Sequence, residues 1–345
     1  MWREECLRMQ NRSKDRIAWI DMAKGYGTLL VIYAHLGDDP LRGWMYSFHL
    51  PLFFFLSGYV FRYQDSFKEF VWKKCKAIMV PYFCLGIPMV LFEILKSLLK
   101  GQFSLENAMS LAKLFLEQRR LWTLWYIACL FWLNIIFYLL LKSVKKKWIL
   151  ILLSVILPVA GCAYYKYGGQ PLYWNVDTCV MALPFFTGGY LYKLYAKAVD
   201  GLIERYKLLF LPIVWIVNVF AWRMSIGENG WGLEMFASSY GRPIFTYLAA
   251  FAGVFGVILV SKCVNIKQIC FLGENSMLYY AWHQTIMMPI ICKILDYMEA
   301  DILCSQGEYG VFLYKILWLL GILLATTICY FVIKKLRLQF MLGKK

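Results

Sequence analysis

Ten apolar segments follow one another along the chain, separated by polar connections, and each approaches the roughly 20 residues that a helix needs to cross a membrane. They lie near residues 17–36, 46–62, 77–99, 121–141, 148–164, 178–196, 208–223, 242–261, 274–295 and 312–333. The longest connections are 97–120 and 224–241, and the amphipathic spacing of the first predicts a surface helix. We therefore predict an all-α fold, a polytopic membrane helical bundle of about ten transmembrane helices.

Composition excludes an ordinary soluble protein. Of the 345 residues, 61% are hydrophobic and 17% are charged, whereas soluble domains average about 45–50% and about 25%. With no internal repeat and no separate soluble stretch, we interpret residues 1–345 as a single integral-membrane domain that has a basic cytoplasmic N-terminal segment, 1–16, and a basic cytoplasmic tail, 334–345. The 11 cysteines show no metal-ligand spacing, so we expect no metal site. A disulfide between Cys162 and Cys179 stays open.

The net charge of +16 does not indicate a nucleic-acid partner, because the basic residues of a membrane protein collect in its cytoplasmic loops. Alternate connections hold most of them: Arg3, Arg8, Arg12, Lys14 and Arg16; Arg62, Lys68, Lys73, Lys74 and Lys76; Lys142, Lys145, Lys146 and Lys147; Lys193, Lys197, Arg205 and Lys207; Lys262 and Lys267; Lys334, Lys335, Arg337, Lys344 and Lys345. The connection 296–310 has none. The positive-inside rule then places both termini in the cytoplasm, as an even number of helices requires.

The first apolar segment carries three ionisable residues, Asp21, Lys24 and His35. At 100° per residue, Lys24 and His35 lie within about 20° of each other on a helix and about 16 Å apart along it, and Asp21 is about 40° from His35. Lipid penalises such a stripe by several kcal/mol per charge. We expect it to face the bundle interior or a wet cavity. Alternatively, Asp21 and Lys24 only anchor the helix at the membrane edge, with His35 solvated at the far end.

All three histidines of the chain lie in or beside apolar segments. With the predicted orientation, His35 and His49 lie at the same outer level, and the short connection 37–46 keeps their helices adjacent. His283 lies inside the ninth segment, after residues 273–276, which predict a turn and a helix N-cap. A single histidine of this kind is more often structural, but the three together favour a functional site.

Several sequence blocks resemble the integral-membrane acyltransferase-3 family, specifically its fucose 4-O-acetylase-like branch. The blocks are 20–25 running to His35, 48–59, 73–76 leading to 81–82, 124–127, 177–189, and 272–276 running to His283. They cover nearly the whole chain in order. Lys24, Lys73 and Lys76 stand where many members have arginine, and lysine keeps the charge but lacks the bidentate guanidinium fork.

The resemblance implies transfer of an acyl group, usually acetyl, from cytoplasmic acetyl-CoA to a hydroxyl of an extracytoplasmic or lipid-linked glycan. It implies a multi-pass protein of the plasma membrane, from a bacterium. Lys73 and Lys76 would attract the anionic nucleotide of the acyl-CoA, and its thin pantetheine arm would pass Lys24. His35, with a reference pKa near 6.5, would be the general base, and Asp21 would pair with Lys24. An acetyl-histidine relay is an alternative.

Each of the other candidate residues has two possible roles. His49, Asp177 and His283 would orient the acceptor or be structural. Arg119 and Arg120 would bind acidic sugars or a lipid-linked pyrophosphate, or reach toward lipid headgroups. The expected partners are acyl-CoA, the glycan acceptor and membrane lipids, and the oligomeric state stays open.

Two other functions also stay open, a transporter or flippase of a lipid-linked sugar and a non-catalytic membrane sensor. Transporters often show paired halves with broken helices, and this chain shows no such repeat.

Overall fold

The computed structural model describes residues 17–37, 41–144, 146–227 and 232–344, without the side chains of Glu204, Lys207 and Leu208. It is 82% helical and has no strand among those residues, which confirms the predicted all-α class. Among the basic residues that predict the orientation, seven lie outside the described ones: Arg3, Arg8, Arg12, Lys14, Arg16, Lys145 and Lys345.

Fourteen α-helices are found in the described residues. The first seven are α1 Ala18–Ala34, α2 Arg42–Tyr46, α3 His49–Tyr59, α4 Phe67–Lys74, α5 Val80–Leu99, α6 Leu105–Glu117 and α7 Leu124–Ser143. The others are α8 Lys147–Lys166, α9 Val176–Ser225, α10 Pro243–Cys263, α11 Lys267–Glu274, α12 Ser276–Trp282, α13 Met288–Tyr297 and α14 Gly307–Lys335. A π-helical turn, Cys75–Met79, joins α4 to α5, and a second, His283–Met287, joins α12 to α13.

Five stretches of helix among the described residues are long and apolar enough to cross a membrane. They are Phe67–Leu99, Leu124–Ser143, Lys147–Lys166, Pro243–Cys263 and Ala300–Lys335. A shorter apolar helix, Leu209–Ser225, accompanies them. These helices support a membrane protein, while the count of ten and the cytoplasmic location of both termini stay predictions.

The helix boundaries differ from the apolar segments at the polar stretches 197–207 and 273–276, among other positions. Residues 178–196 and 208–223 lie in the helical stretch α9, in which two helices meet directly at a kink at Tyr206. The polar stretch between them stays helical because it is rich in good helix formers such as Leu, Lys and Ala. The turn predicted at 273–276 is a single break at Asn275, preceded by α11. There the Asn275 side chain donates to the carbonyl of Phe271 rather than capping α12.

Helix α6 confirms the surface helix predicted in the connection 97–120. Ser104 caps it by accepting a hydrogen bond from the backbone N–H of Asn107. Its residues Leu105, Met109 and Leu116 are all more than half exposed. An amphipathic helix with exposed apolar side chains suits the membrane interface.

Glycines bring pairs of helices into backbone contact. A Cβ at Gly58 of α3 would lie 1.9 Å from the carbonyl oxygen of Phe186 in α9, and one at Gly189 of α9 would lie 1.8 Å from that of Phe55 in α3. Because any side chain would collide at these two positions, the glycines allow the two backbones to approach this closely. The contact fixes α3, which begins at His49, against the long helix α9.

Lys262 of α10 contacts both α9 and α1, near the N-terminal end of α1. Lys262 forms an ion pair with Asp200 and donates to the hydroxyl of Tyr192 at 2.8 Å. Its ammonium also lies 5.1 Å from the ring centroid of Trp19. The charge is thus balanced by a carboxylate and two aromatic faces, which stabilise a cation in a poorly solvated place. At the other end of α1 lies His35.

A histidine-lined cavity as the candidate active site

His35 follows the last residue of α1 and is held by that helix's own backbone. Its Nδ1 lies 2.7 Å from the carbonyl oxygen of Val31, one turn earlier. A carbonyl only accepts hydrogen bonds, so Nδ1 carries the proton, and the neutral ring presents its lone pair at Nε2. That Nε2 lies 3.4 Å from the hydroxyl of Tyr46 in α2. His35 is therefore oriented as a base.

The other two histidines are held in the same way. His49 donates from Nδ1 to the carbonyl of Met45 at 2.7 Å. His283 opens the second π turn, and its Nδ1 is shared by the carbonyls of Tyr279 and Tyr280 at 3.2 and 2.8 Å. In each case the Nδ1 proton is fixed by carbonyls of the preceding turn. Nε2 is then left as an acceptor, and that of His283 is buried with no hydrogen-bond partner in the described part of the chain.

The rings of His35 and His49 lie beside Tyr46, and the ring of His283 lies beside His35. The rings of His35 and His283 meet edge to face with centroids 5.0 Å apart. The ring of Tyr46 lies 5.0 Å from that of His49 and 5.8 Å from that of His35. The structure thus brings together three residues that are far apart in sequence. His49 and His283 are almost completely buried, whereas His35 is half-buried.

A cavity of about 370 Å³ adjoins this group, within the size range of small-ligand sites. His35, His49 and Tyr46 line one side of it, with Arg42 beside them. The guanidinium carbon of Arg42 lies 5.2 Å from the Tyr46 ring centroid. His283 does not reach the cavity and lies behind His35. The remaining lining mixes aliphatic side chains with aromatic and polar ones, among them Trp122, Trp125, Glu234, Phe236 and Gln284.

Arg120 lines another side of the cavity, and protein groups accept hydrogen bonds from almost all of its donors. Its guanidinium donates to five side chains: Tyr165, Asn175, Asp177, Thr178 and Ser238. The distance to Asp177 Oδ2 is 2.5 Å, and the two side chains are only 8% and 3% exposed. Its Nε lacks a hydrogen-bond partner within the described residues. Arg120 thus joins α8, α9 and the segment 232–242, and leaves at most one donor for a ligand.

The backbone around Arg120 has an unusual conformation. Five of the non-glycine residues with positive φ lie in this region: Gln118, Arg120, Trp122, Trp174 and Asn175. Such conformations cost roughly 1–3 kcal/mol each and persist where the surroundings over-determine them. Here the side chain of Asn175 accepts from the backbone N–H of Arg120 at 3.1 Å and donates to the carbonyl of Gln118 at 3.0 Å. The contacts hold Trp122 and Trp125 at the cavity wall.

The remaining site residues of the sequence analysis lie outside the cavity lining. Asp21 is buried and Lys24 is half-buried within α1, eleven or more residues before His35. Lys73 is exposed and donates to the side chain of Gln64 at 2.9 Å, and the ammonium of Lys76 lies 4.8 Å above the ring of Trp72. The roles predicted for these residues stay predictions.

Two further expectations concern the surface and the cysteines. Arg119 is exposed and stacks on Tyr173, with its guanidinium carbon 3.6 Å from the ring centroid. Cys162 and Cys179 are both free thiols, and Cys179 lies 3.5 Å from Cys129 instead. The described residues contain no group of three or more His, Cys, Asp or Glu side chains that could hold a metal ion.

Sequence reasoning missed Tyr46, Arg42 and Glu234 as cavity residues. One signal for Tyr46 was present, because it precedes His49 by three residues and so tends to share its face. Glu234 lies in a connection with no periodic pattern, and nothing in the sequence placed it near the histidines.

An apolar helical bundle with a buried histidine cluster and a polar cavity defines a membrane protein with a site for a small ligand. The sequence model of the acyltransferase-3 family, described as an acyltransferase domain, matches residues 17–335. The chain belongs to this family and is a membrane acyltransferase. No curated protein and no solved structure matches it.

Proposed function

We propose that the protein moves an acyl group, in the simplest case acetyl, from cytoplasmic acyl-CoA to a hydroxyl of an extracytoplasmic or lipid-linked glycan. The observation that carries the proposal is the orientation of His35. The carbonyl of Val31 fixes its Nδ1 proton, and Nε2 is turned toward Tyr46 at the cavity wall. Acyl transfer to a hydroxyl needs a base at that position.

The composition of the cavity supports a carbohydrate acceptor. Trp122, Trp125 and Phe236 offer flat apolar faces, while Glu234 and Gln284 offer polar groups. A sugar ring has an apolar C–H face and a rim of hydroxyls, and the two kinds of lining match these two sides. A simple acyl chain would need neither charged nor aromatic side chains in the cavity lining.

Basic residues support an acyl-CoA donor at the opposite, predicted cytoplasmic side. Lys73 and Lys76 are exposed on the helical stretch that runs from α4 through the first π turn. Positive charge there would raise the local concentration of an anionic nucleotide. Lys24 lies about 16 Å along α1 from His35, and we propose that the pantetheine arm passes it to bring the thioester to the histidines.

The chemistry follows from these positions. His35 Nε2 takes the proton of the attacking hydroxyl as that oxygen bonds to the thioester carbonyl carbon. The guanidinium of Arg42, which lines the same side of the cavity, stabilises the negative charge that develops on the carbonyl oxygen. The C–S bond then breaks, and the proton on His35 passes to the leaving thiolate.

Purified full-length protein incubated with labelled acetyl-CoA and a panel of glycans tests the proposal. We expect label on one class of glycan and release of free CoA, both lost in His35→Gln. Movement of a lipid-linked sugar across vesicles without consumption of acetyl-CoA would instead indicate a flippase. A protein that does neither would be a sensor on the same fold.

A further inference from the structure

We propose that Glu234 selects an acceptor whose sugar is uncharged, by accepting hydrogen bonds from its hydroxyls, and that it repels sugars that carry a carboxylate. The inference rests on the proposed function and deepens it by naming the class of acceptor. Three observations support it: the place of Glu234 in the cavity lining, the state of its carboxylate, and the charges and aromatic rings around it.

Glu234 is the only acidic residue among the described residues that line the cavity. Its backbone N–H and carbonyl are both paired with Ser239, at 2.8 and 3.0 Å. Its half-buried carboxylate, in contrast, has no hydrogen-bond or ion-pair partner in the described part of the chain. A carboxylate only accepts hydrogen bonds, and leaving it without donors in a poorly solvated place costs free energy. The hydroxyls of a bound ligand would supply the missing donors.

The backbone around Glu234 is held in place by its neighbours. Leu233 and Met235, on either side of it, are both buried. Ser238, in the same short turn, accepts a hydrogen bond from the guanidinium of Arg120 at 2.7 Å. The segment is therefore fixed at its apolar side chains and at the Arg120 network. A carboxylate that is already in position loses little freedom when a ligand binds, which favours affinity and selectivity.

The charges of the lining favour a neutral sugar. Arg120 forms an ion pair with the buried Asp177 at 2.5 Å, so its charge is already balanced. Arg42 lies against the ring of Tyr46 on the histidine side, where the acyl carbonyl has to bind. A sugar carboxylate in the same cavity of about 370 Å³ would face the like charge of Glu234, and such repulsion is strong away from water. Proteins reject competing ligands by repulsion of this kind.

Aromatic rings next to Glu234 supply the other half of a sugar site. Phe236 follows Glu234 by two residues and lies edge to face with Trp125, with ring centroids 6.3 Å apart. Both rings line the cavity, as does Trp122. A sugar ring whose C–H face lies on one of these rings would turn its hydroxyl rim toward the carboxylate. Two adjacent hydroxyls can each donate to one carboxylate oxygen, and hydrogen bonds to an ionised acceptor are about twice as strong as neutral ones.

The experiment compares acceptors that differ in charge. The probes are trisaccharides of glucose, galactose or mannose, each with a counterpart whose terminal residue is the uronic acid. The purified full-length protein receives each probe with labelled acetyl-CoA, and transfer is measured. Calorimetry measures binding of the same probes, so that the comparison does not depend on which hydroxyl is acylated.

Three variants separate the charge of Glu234 from its size and from the general charge of the protein. Glu234→Gln keeps the shape and removes the charge, while Glu234→Asp keeps the charge on a shorter side chain. Neither removes a side-chain contact present within the described residues, so both should fold. Glu106→Gln is the matched control, because it removes an exposed carboxylate in α6 that lies outside the cavity lining.

We expect the wild type to bind and acylate a neutral probe at least about tenfold better than its acidic counterpart. Glu234→Gln should weaken binding of the neutral probe by about tenfold, the loss expected for a hydrogen bond to a charged group, and raise KM more than it lowers kcat. The preference for the neutral probe should shrink with it. Glu234→Asp should keep the preference, and Glu106→Gln should change neither affinity nor preference.

Two kinds of result would overturn the inference or its basis. Equal or better use of the acidic probes by the wild type, or a preference that Glu234→Gln leaves unchanged, would overturn the role of Glu234 and leave acyl transfer intact. Binding with the expected preference but without transfer would overturn the proposed reaction alone. Neither binding nor transfer of any glycan would overturn the proposed function and the inference with it.

Discussion

Replacing Arg120 by Ala should destabilise the protein more than any surface change. Among the described residues, only Arg120 forms an ion pair with the buried Asp177 carboxylate. The substitution therefore removes the positive charge that balances this carboxylate. Removing one member of a buried ion pair costs about 3–5 kcal/mol, because the remaining charge stays buried. Arg120 and Asp177 are 8% and 3% exposed, so solvent cannot replace the lost guanidinium.

A double-mutant cycle separates the ion pair from the loss of packing. Arg120→Gln with Asp177→Asn removes both charges and keeps a hydrogen-bonding side chain at each position. It should be less destabilised than the sum of the single variants, by about 0.5–3 kcal/mol of coupling. Arg120→Lys keeps the charge but offers a single nitrogen, so it should recover only part of the loss.

The assay is thermal and denaturant unfolding of the purified protein in one detergent, with Lys113→Ala as a surface control, since that lysine is 75% exposed. We expect the control to stay within about 0.5 kcal/mol of the wild type. Two results would contradict the claim that this network stabilises the cavity wall. One is an Arg120→Ala protein as stable as the control, and the other is single and double variants whose effects simply add.

Three further predictions concern packing, the donor and the orientation. Gly58→Ala should destabilise by about 1–3 kcal/mol through collision with α9, whereas Gly201→Ala, where a Cβ meets nothing within 4 Å, should stabilise slightly; equal unfolding midpoints would contradict the backbone contact. Lys73→Ala combined with Lys76→Ala should weaken acetyl-CoA binding at low salt and leave stability unchanged, and an unchanged dissociation constant would move the donor site elsewhere. Reporter fusions should place the C-terminus in the cytoplasm, and an external C-terminus would reverse the orientation.

Much of the architecture could be predicted from the sequence because apolar segments are a local property. The pattern predicted the all-α class and the surface helix α6, and the resemblance pointed to the right family. The pattern did not show that the polar residues between the two apolar parts of α9 are helical up to the kink at Tyr206, because such residues form helix as readily as they form a loop.

Some residues of the site could likewise be predicted from the sequence, and others could not. The histidines were found because ionisable side chains are rare in apolar segments. The contacts of Arg120 were not, because its partners Asp177 and Ser238 are 57 and 118 residues away and polar residues in connections carry no periodic signal. Only the three-dimensional structure shows that Asp177 pairs with Arg120 and that the Tyr46 hydroxyl lies next to Nε2 of His35.

The turnover of His35→Gln tests the central claim, that His35 is the base of an acyl transfer. Glutamine keeps a hydrogen-bonding side chain but cannot take a proton at neutral pH, so activity should fall by about 10²–10⁴-fold while the protein stays folded. His283→Gln, measured in parallel, should retain more activity than His35→Gln, because His283 lies behind His35 and does not line the cavity. A folded His35→Gln protein that keeps more than about a tenth of the normal rate would contradict the claim, since losing a base should cost far more.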